Sequence, residues 1–515
     1  MRMRVNAADI LRRLCLFFLL VLGSQSAGAQ WLTHGKPNAL AKQAIVELQS
    51  ATREGLDPRD YLADALAREQ LYLLTTNQPD HIRQAQFNAQ LTQAMTRYLN
   101  DLALGRVSAR EVHHYFDGVS PRLFDATTVL NQALKDGNIR QAVLLAEPRF
   151  PLYANLKGAL AKYQDLSHHV AWQSPLPMPT HRKLEPGQTY QSMPMLRERL
   201  LLLGDLSAME RQPGDVYDGP MVAAVKAFQS RHGLDEDGVV GKRTLAALNV
   251  TPVQRTEQIM LSMERLRWTP LHQGDRLIAV NLPGFMLYAY EIDTKGRVDV
   301  KVEMRVVVGK SLNHRTPIFD EDMQYIEFSP YWNVPPSIAR NEIIPALRKD
   351  PGYLNTQQME FVDAAGNIST DVTAAKIKAV LSGQLRIRQR PGLHNALGAI
   401  KFIFPNNDNI YMHHTPATHL FSRDRRDFSH GCIRLEQPVE LAKFVLANQP
   451  EWTEQRIMDA MAAGQSKTIR LKDPLPVLIG YSTVLSRNGT VFFYPDIYGH
   501  DATLRKALNA YRGLQ

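Results

Sequence analysis

Close to Trp268 the hydrophobic pattern of this chain changes period. Upstream, apolar residues recur three and four positions apart, as in Leu91, Ala94, Met95, Tyr98, Leu99 and Leu102. Downstream they alternate, with Phe285, Leu287 and Ala289 set against Met286, Tyr288 and Tyr290. The first spacing lines one side of an α-helix and the second lines one face of a strand. No all-α or all-β fold accommodates both, so a multidomain α+β protein is expected. At about 150 residues per domain, the 515 residues divide into roughly three folding units.

Residues 30–183 read as a helical scaffold. Leu40, Ala44, Ile45 and Leu48 make an earlier stripe, Gly55 and Gly105 stand where stripes stop, and three prolines within 174–179 end the region because proline cannot continue a helix. Residues 184–250 form a smaller unit of three short helices. Leu196, Leu200 and Leu203 precede Gly204, then Val222, Val225 and Phe228 precede Gly233, and a third helix covers 244–249. Its runs Leu196-Arg197-Glu198-Arg199-Leu200, Tyr217-Asp218-Gly219, Ala224-Val225-Lys226-Ala227-Phe228-Gln229, His232-Gly233-Leu234 and Asp237-Gly238-Val239-Val240-Gly241 resemble the three-helix peptidoglycan-binding module of wall hydrolases and transpeptidases. The resemblance implies a domain that holds glycan. Residues 251–272 read as a linker helix through Ile259, Met260, Met263 and Leu266.

From 273 to 515 the pattern is mainly β. Strands are expected at 277–280, from Phe285 through a turn at 293–296 into 298–304, at 399–404, at 410–413 and at 477–484. The turn Asn488-Gly489 then leads into 491–493, and Asn-Gly is a strong two-residue hairpin signal. Residues of about 338–387 interrupt this pattern with helical stretches at 343–347 and 373–381, an insertion placed to cap the sheet as a lid.

At the start of the chain, Arg2, Arg4, Arg12 and Arg13 precede the apolar run 14–22, and Ser26, Ala27, Gly28 and Ala29 follow. This is the order of a secretory signal peptide, assigned to residues 1–29 with cleavage near Ala29. The run is shorter than the roughly 20 residues that span a bilayer; left uncleaved, the signal would anchor the protein in the inner membrane. Without the first thirty residues the formal charge falls from +9 to +6, a basic balance that favours anionic partners such as wall polymers. Cys15 lies inside the signal, so Cys432 is the one cysteine of the exported chain and has no internal disulfide partner. An unpaired thiol in an oxidising compartment reads as reactive.

Chemistry concentrates in Tyr411-Met412-His413-His414-Thr415-Pro416 and Ser429-His430-Gly431-Cys432-Ile433-Arg434. A thiol of ordinary acidity is only a few per cent ionised at neutral pH, so Cys432 needs a base, and His413 ends an expected strand nineteen positions upstream. Gly431 lacks a β-carbon, which lets substrate approach and leaves the Gly431 and Cys432 N–H groups as candidate oxyanion donors. A histidine followed by Ser-His-Gly-Cys, an apolar residue and arginine is similar to the signature of the L,D-transpeptidases. Val308-Gly309-Lys310, Thr316-Pro317, Tyr331-Trp332-Asn333-Val334-Pro335, Arg388-Gln389-Arg390-Pro391-Gly392 and Asn395-Ala396-Leu397-Gly398 further resemble the large Gram-negative members, which join a scaffold, a binding module and a capped catalytic domain. Leu393 departs from their pattern, where proline is commoner.

The resemblance implies Cys432 as nucleophile, His413 as general base and acid, the His414 carbonyl as its orienting partner, His430 as support of the nucleophile loop, and Tyr411 and Arg434 along the donor stem. It implies a periplasmic enzyme that forms 3→3 peptidoglycan cross-links, needs no cofactor, meets stem peptides and glycan but no nucleic acid, associates with cell-wall synthases, and is acylated by carbapenems. Three readings compete. Water or a lipoprotein lysine could replace the acceptor amine, giving an L,D-carboxypeptidase or a lipoprotein-attaching enzyme. The chain could instead be a non-catalytic wall-binding protein. His413, His414, His419, His430 and Cys432 could hold zinc, although bound sulfur would be a blocked nucleophile.

Overall fold

The computed structural model describes residues 31–77, 80–112, 123–210, 214–269 and 274–513. The expected signal peptide lies outside the described residues, and among them no helix is long and apolar enough to cross a membrane. The chain groups into two compact units, the first drawing on residues up to 52, 56–102 and 124–147, the second on 53–55, 103–123 and 148–515.

In the first unit, β1 (Leu32–Thr33) pairs with β2 (Lys36–Pro37) ahead of helix Ala39–Gln49, whose N-cap Asn38 accepts from the N–H groups of Leu40 and Ala41. The apolar stripes read from the sequence face inward, with Ala44, Ile45, Leu48, Leu91, Met95 and Leu99 buried. Helix His81–Leu104 stops where Gly105 takes φ 83°.

The second unit contains the three-helix segment, at Met193–Leu203, Gly219–Ser230 and Lys242–Leu248, around Leu196, Leu200, Val225, Phe228 and Leu245. It rests on the hairpin of β16 (Val484–Arg487) and β17 (Thr490–Phe493): the Phe493 N–H donates to the Arg231 carbonyl at 2.8 Å, and the His232 ring stacks between Phe228 and Phe493. The linker helix Pro252–Trp268 opens with a Thr251/Gln254 capping box and packs on helix Pro151–Leu166. It is buried despite its charges, because Glu264 is fully enclosed by Arg106 at 3.0 Å and Arg267 at 2.7 Å.

The catalytic region is a mixed sheet of nine strands: β3 (Arg276–Asn281), β4 (Met286–Ile292), β5 (Val298–Gly309), β6 (Phe319–Phe328), β11 (Ile400–Ile403), β12 (Met412–His413), β13 (Asp427–Ser429), β14 (Ile433–Leu435) and β15 (Lys467–Gly480). Their order is β13-β5-β14-β12-β11-β6-β15-β3-β4, and β4 also pairs with β5, so the ladder closes on itself. Strand β6 is absent from the sequence expectations. Its Asp320-Glu321-Asp322 run hides the alternation, yet it pairs with β15 on one side and β11 on the other.

Between β6 and β11 lies the insertion, with helices at Ile344–Lys349 and Ala374–Leu381 close to the expected positions. It also carries a four-stranded sheet of order β7-β10-β8-β9, built from β7 (Trp332–Asn333), β8 (Met359–Val362), β9 (Ile368–Ser369) and β10 (Arg386–Gln389). Val334, Ile343, Leu347, Leu354, Phe361 and Ile387 give it a core of its own.

Candidate active site

Strand alternation builds the site. Met412 on β12, Ile433 and Leu435 on β14, and Ile400 and Phe402 on β11 point into the main core. Their neighbours must therefore point the other way. Register then aligns them: β12 runs parallel to β14 with His413 opposite Arg434, and antiparallel to β11 with His413 opposite Lys401. Arg434, His413 and Lys401 thus form one transverse row on the face away from the core. Tyr411 shares their face one step along β12, and Cys432 immediately precedes β14 beside it, the Ile433 N–H donating to the Tyr411 carbonyl at 3.0 Å.

The His413 ring is buried, and its Nδ1 lies 2.5 Å from the His414 carbonyl oxygen. A carbonyl only accepts, so Nδ1 carries the proton and Nε2 keeps its lone pair. Burial, with the positive charges of Arg434 and Lys401, pushes His413 down to about 3, so the imidazole is neutral at physiological pH. Cys432 is half-buried, its Sγ 3.8 Å from the Asn409 carbonyl. Burial pushes its thiol up, against hydrogen bonding from Tyr411 and the charges of Lys401 and Arg434. No hydrogen bond joins Sγ to His413, which stands on β12 while Cys432 immediately precedes its parallel neighbour β14.

The turn that leads into Cys432 is held by hydrogen bonds on both sides of Gly431. Gly431 adopts φ +118°, a region that a side chain would disfavour. The Thr316 hydroxyl donates to the Gly431 carbonyl at 2.7 Å and accepts from the Gly309 N–H at 2.9 Å, while the Tyr498 hydroxyl donates to the Gly309 carbonyl at 2.7 Å. Ser429 closes the turn, its hydroxyl donating to the Cys432 carbonyl at 2.6 Å and accepting from the Gly431 N–H at 3.1 Å. This corrects one expectation: the Gly431 N–H is committed inside the turn and is not free for an oxyanion. The physical reason is that a serine hydroxyl two residues back offers the nearest acceptor.

His430 contacts the insertion: its Nε2 lies 2.6 Å from Glu342 Oε1, and its ring meets that of His314 edge-on at 4.7 Å. Glu342 sits in the π-helical stretch Ala339–Ile343. The His414 ring is turned away from the row, with Nδ1 accepting from the Ala399 N–H at 3.2 Å. Gly398, at φ +62°, makes room for it, since a β-carbon there would stand 2.5 Å from that Nδ1. The clustered histidines therefore reach different partners, and among the described residues no group of three or more His, Cys, Asp or Glu side chains is arranged to hold a metal. Leu393 is solvent-exposed in its loop.

Two residues of the site escaped the sequence reading. Lys401 stands at an outward position of the expected strand 399–404, between inward Ile400 and Phe402, and alternation alone could have put it beside His413. Glu342 carries no such signal, because only the folded insertion brings it to His430.

Comparison with known proteins follows from this geometry. Residues 25–160 match a family described as "Scaffold domain", 189–248 one described as "Putative peptidoglycan binding domain", and 275–479 the YkuD family, described as an L,D-transpeptidase catalytic domain. A "Putative L,D-transpeptidase" of Haemophilus influenzae (strain Rd) is 31% identical over 253 residues, 49% of this chain and 50% of that protein, so the chain spans about half the length of this curated relative. Among solved structures, a Clostridium acetobutylicum protein titled as a fused Zn-dependent amidase/peptidase/peptidoglycan-binding domain-containing protein aligns at 12% identity and TM-score 0.17, covering 58% of this chain and 99% of its own. Bd1075 of Bdellovibrio bacteriovorus aligns at 15% identity and TM-score 0.17, covering 46% and 56%. At those scores neither structure bears on function.

Proposed function

With an L,D-transpeptidase catalytic domain of the YkuD family behind a scaffold domain and a peptidoglycan-binding domain, we propose that this chain is an exported, cysteine-dependent acyltransferase that makes 3→3 cross-links in periplasmic peptidoglycan. The observation that carries the reading is that His413 stands on β12 and Cys432 immediately before its parallel neighbour β14, with the proton of His413 held on Nδ1 by the His414 carbonyl.

In the reaction, His413 Nε2 takes the thiol proton and the Cys432 sulfur attacks the carbonyl carbon of the third stem residue. The C–N bond to the terminal D-alanine breaks, and His413 returns the proton to the departing amine. The side-chain amine of a neighbouring stem then attacks the thioester carbon, gives its proton to His413 and expels the thiolate. Swinging Sγ from the Asn409 carbonyl toward Nε2 would complete the pair, since apo catalytic contacts commonly tighten only with substrate. The Cys432 N–H, one residue beyond the committed Gly431 N–H, is the natural oxyanion donor. No cofactor enters these steps. Carbapenems would acylate the same sulfur, cell-wall synthases would supply nascent glycan, and the small module would hold the sacculus.

The test is incubation of the purified chain with tetrapeptide muropeptides, followed by mass analysis. Loss of alanine with dimer formation, abolished in Cys432→Ala, is expected. Alanine loss without dimers would make water the acceptor. Absence of both alanine loss and dimers would refute an acyl-transfer role.

A further inference from the structure

The transverse row holds more positive charge than its protein neighbours neutralise. On one side of His413 the Arg434 guanidinium has no hydrogen-bond or ion-pair partner among the described residues, and its buried Nε is unsatisfied. On the other side the Lys401 Nζ lies 4.2 Å from the Tyr411 ring centroid and 3.9 Å from Glu327, too long for a hydrogen bond. The Ser466 hydroxyl donates to the other oxygen of Glu327, Oε1, at 3.0 Å. The Lys401 side chain keeps 19% of its surface exposed, enough to meet a ligand without becoming a solvated surface lysine. Leaving one cation unpaired and a second only loosely paired beside a buried neutral imidazole is costly, and an arriving anion would relieve it.

We propose that Lys401 and Arg434, flanking His413 across strands β11 and β14, hold the terminal α-carboxylate of the acyl donor, so that the site reads a chain end. The inference rests on the acyl-transfer reading above. If His413 protonates the leaving amine, the geometry of the leaving residue follows: its carboxylate carbon is two bonds from that nitrogen, about 2.5 Å away. Strands two spacings apart put the Lys401 and Arg434 backbones roughly 10 Å from each other, a gap that a carboxylate at His413 lies within. An internal peptide bond at the same position offers a neutral amide, which leaves Arg434 unpaired and Lys401 with only its long contact to Glu327. Lys401 is thus a specificity-determining residue for donors whose cleaved bond is the last one. Arginine at 401 would retain this role, while methionine would keep the apolar stem over Tyr411 and lose the charge.

The experiment compares two donors, a tetrapeptide muropeptide ending in D-alanine and the same molecule ending in D-alaninamide, by the rate of Cys432 acylation in the full chain, followed by intact mass. The wild type is expected to favour the free carboxylate at least tenfold in kcat/KM. Lys401→Met should lose most of that preference, chiefly through the KM of the free-acid donor, and Lys401→Arg should keep it. Equal acylation of wild type by both donors, or an unchanged preference in Lys401→Met, overturns the proposal. A Lys401→Met that slows both donors and iodoacetamide alkylation alike, with the preference intact, also overturns it and makes Lys401 a stabiliser of the thiolate instead. If Lys401→Met fails to fold, Lys401→Gln replaces it. Failure of both donors to acylate the wild type would strike the acyl-transfer reading itself.

Discussion

Replacing Thr316 by valine removes one oxygen and keeps the shape. Thr316 is buried, and its hydroxyl is the partner of both the Gly309 N–H at 2.9 Å and the Gly431 carbonyl at 2.7 Å. The variant leaves two enclosed polar groups without partners, at about 1–3 kcal/mol each, so a destabilisation of roughly 2–6 kcal/mol is expected before relaxation. Thr316→Ser is the control: it keeps the hydroxyl and loses one methyl, about 1 kcal/mol. Hydrogen–deuterium exchange of peptides covering 305–318 reads the effect locally, because the Gly309 N–H loses its acceptor only in the valine variant. Its exchange should accelerate tenfold or more. The nucleophile turn, released at Gly431, should also slow acylation of Cys432 about tenfold, which corresponds to about 1.4 kcal/mol of barrier. Valine and serine variants that match in both exchange and acylation would refute the claim that Thr316 positions the turn.

The resting pair is expected to be neutral, since His413 is held at about 3 and burial raises the Cys432 thiol. Iodoacetamide alkylation of Cys432, followed by peptide mass analysis, should therefore climb steadily with pH, and a plateau of fast reaction from about pH 4 to 7 would reveal a preformed thiolate–imidazolium pair instead. Glu264→Ala removes the carboxylate between Arg106 and Arg267, and should lower stability by about 3–5 kcal/mol, visible as an earlier thermal transition. An unchanged melting curve would mean that those arginines find other partners without loss.

Much of this protein was legible before folding, wherever the signal is local. The helical stripes through Leu48 and Leu99 depend on period alone, and so does the Asn488-Gly489 hairpin, whose two residues take φ 52° and 77° as a two-residue turn requires. Cys432 and His413 could be named as a candidate pair from residue types and spacing alone. Strand β6 and the sheet inside the insertion were not legible, because pairing with strands far along the chain outweighs their weak local preference. The burial of Glu264, Arg265 and Arg267 was equally hidden: each reads as solvated until Arg106, Asp501, Glu54 or Tyr153 arrives to pair with it.

The sequence by itself determined the helical and β regions and the turn residues, and it singled out the candidate thiol, because those follow from side-chain chemistry within a few positions. Only the tertiary structure decided that the Gly431 N–H is already occupied, that His430 reaches Glu342, and that Lys401 and Arg434 stand on either side of His413. The last of these depends on strand register, and a shift of one residue would turn Lys401, His413 or Arg434 into the core.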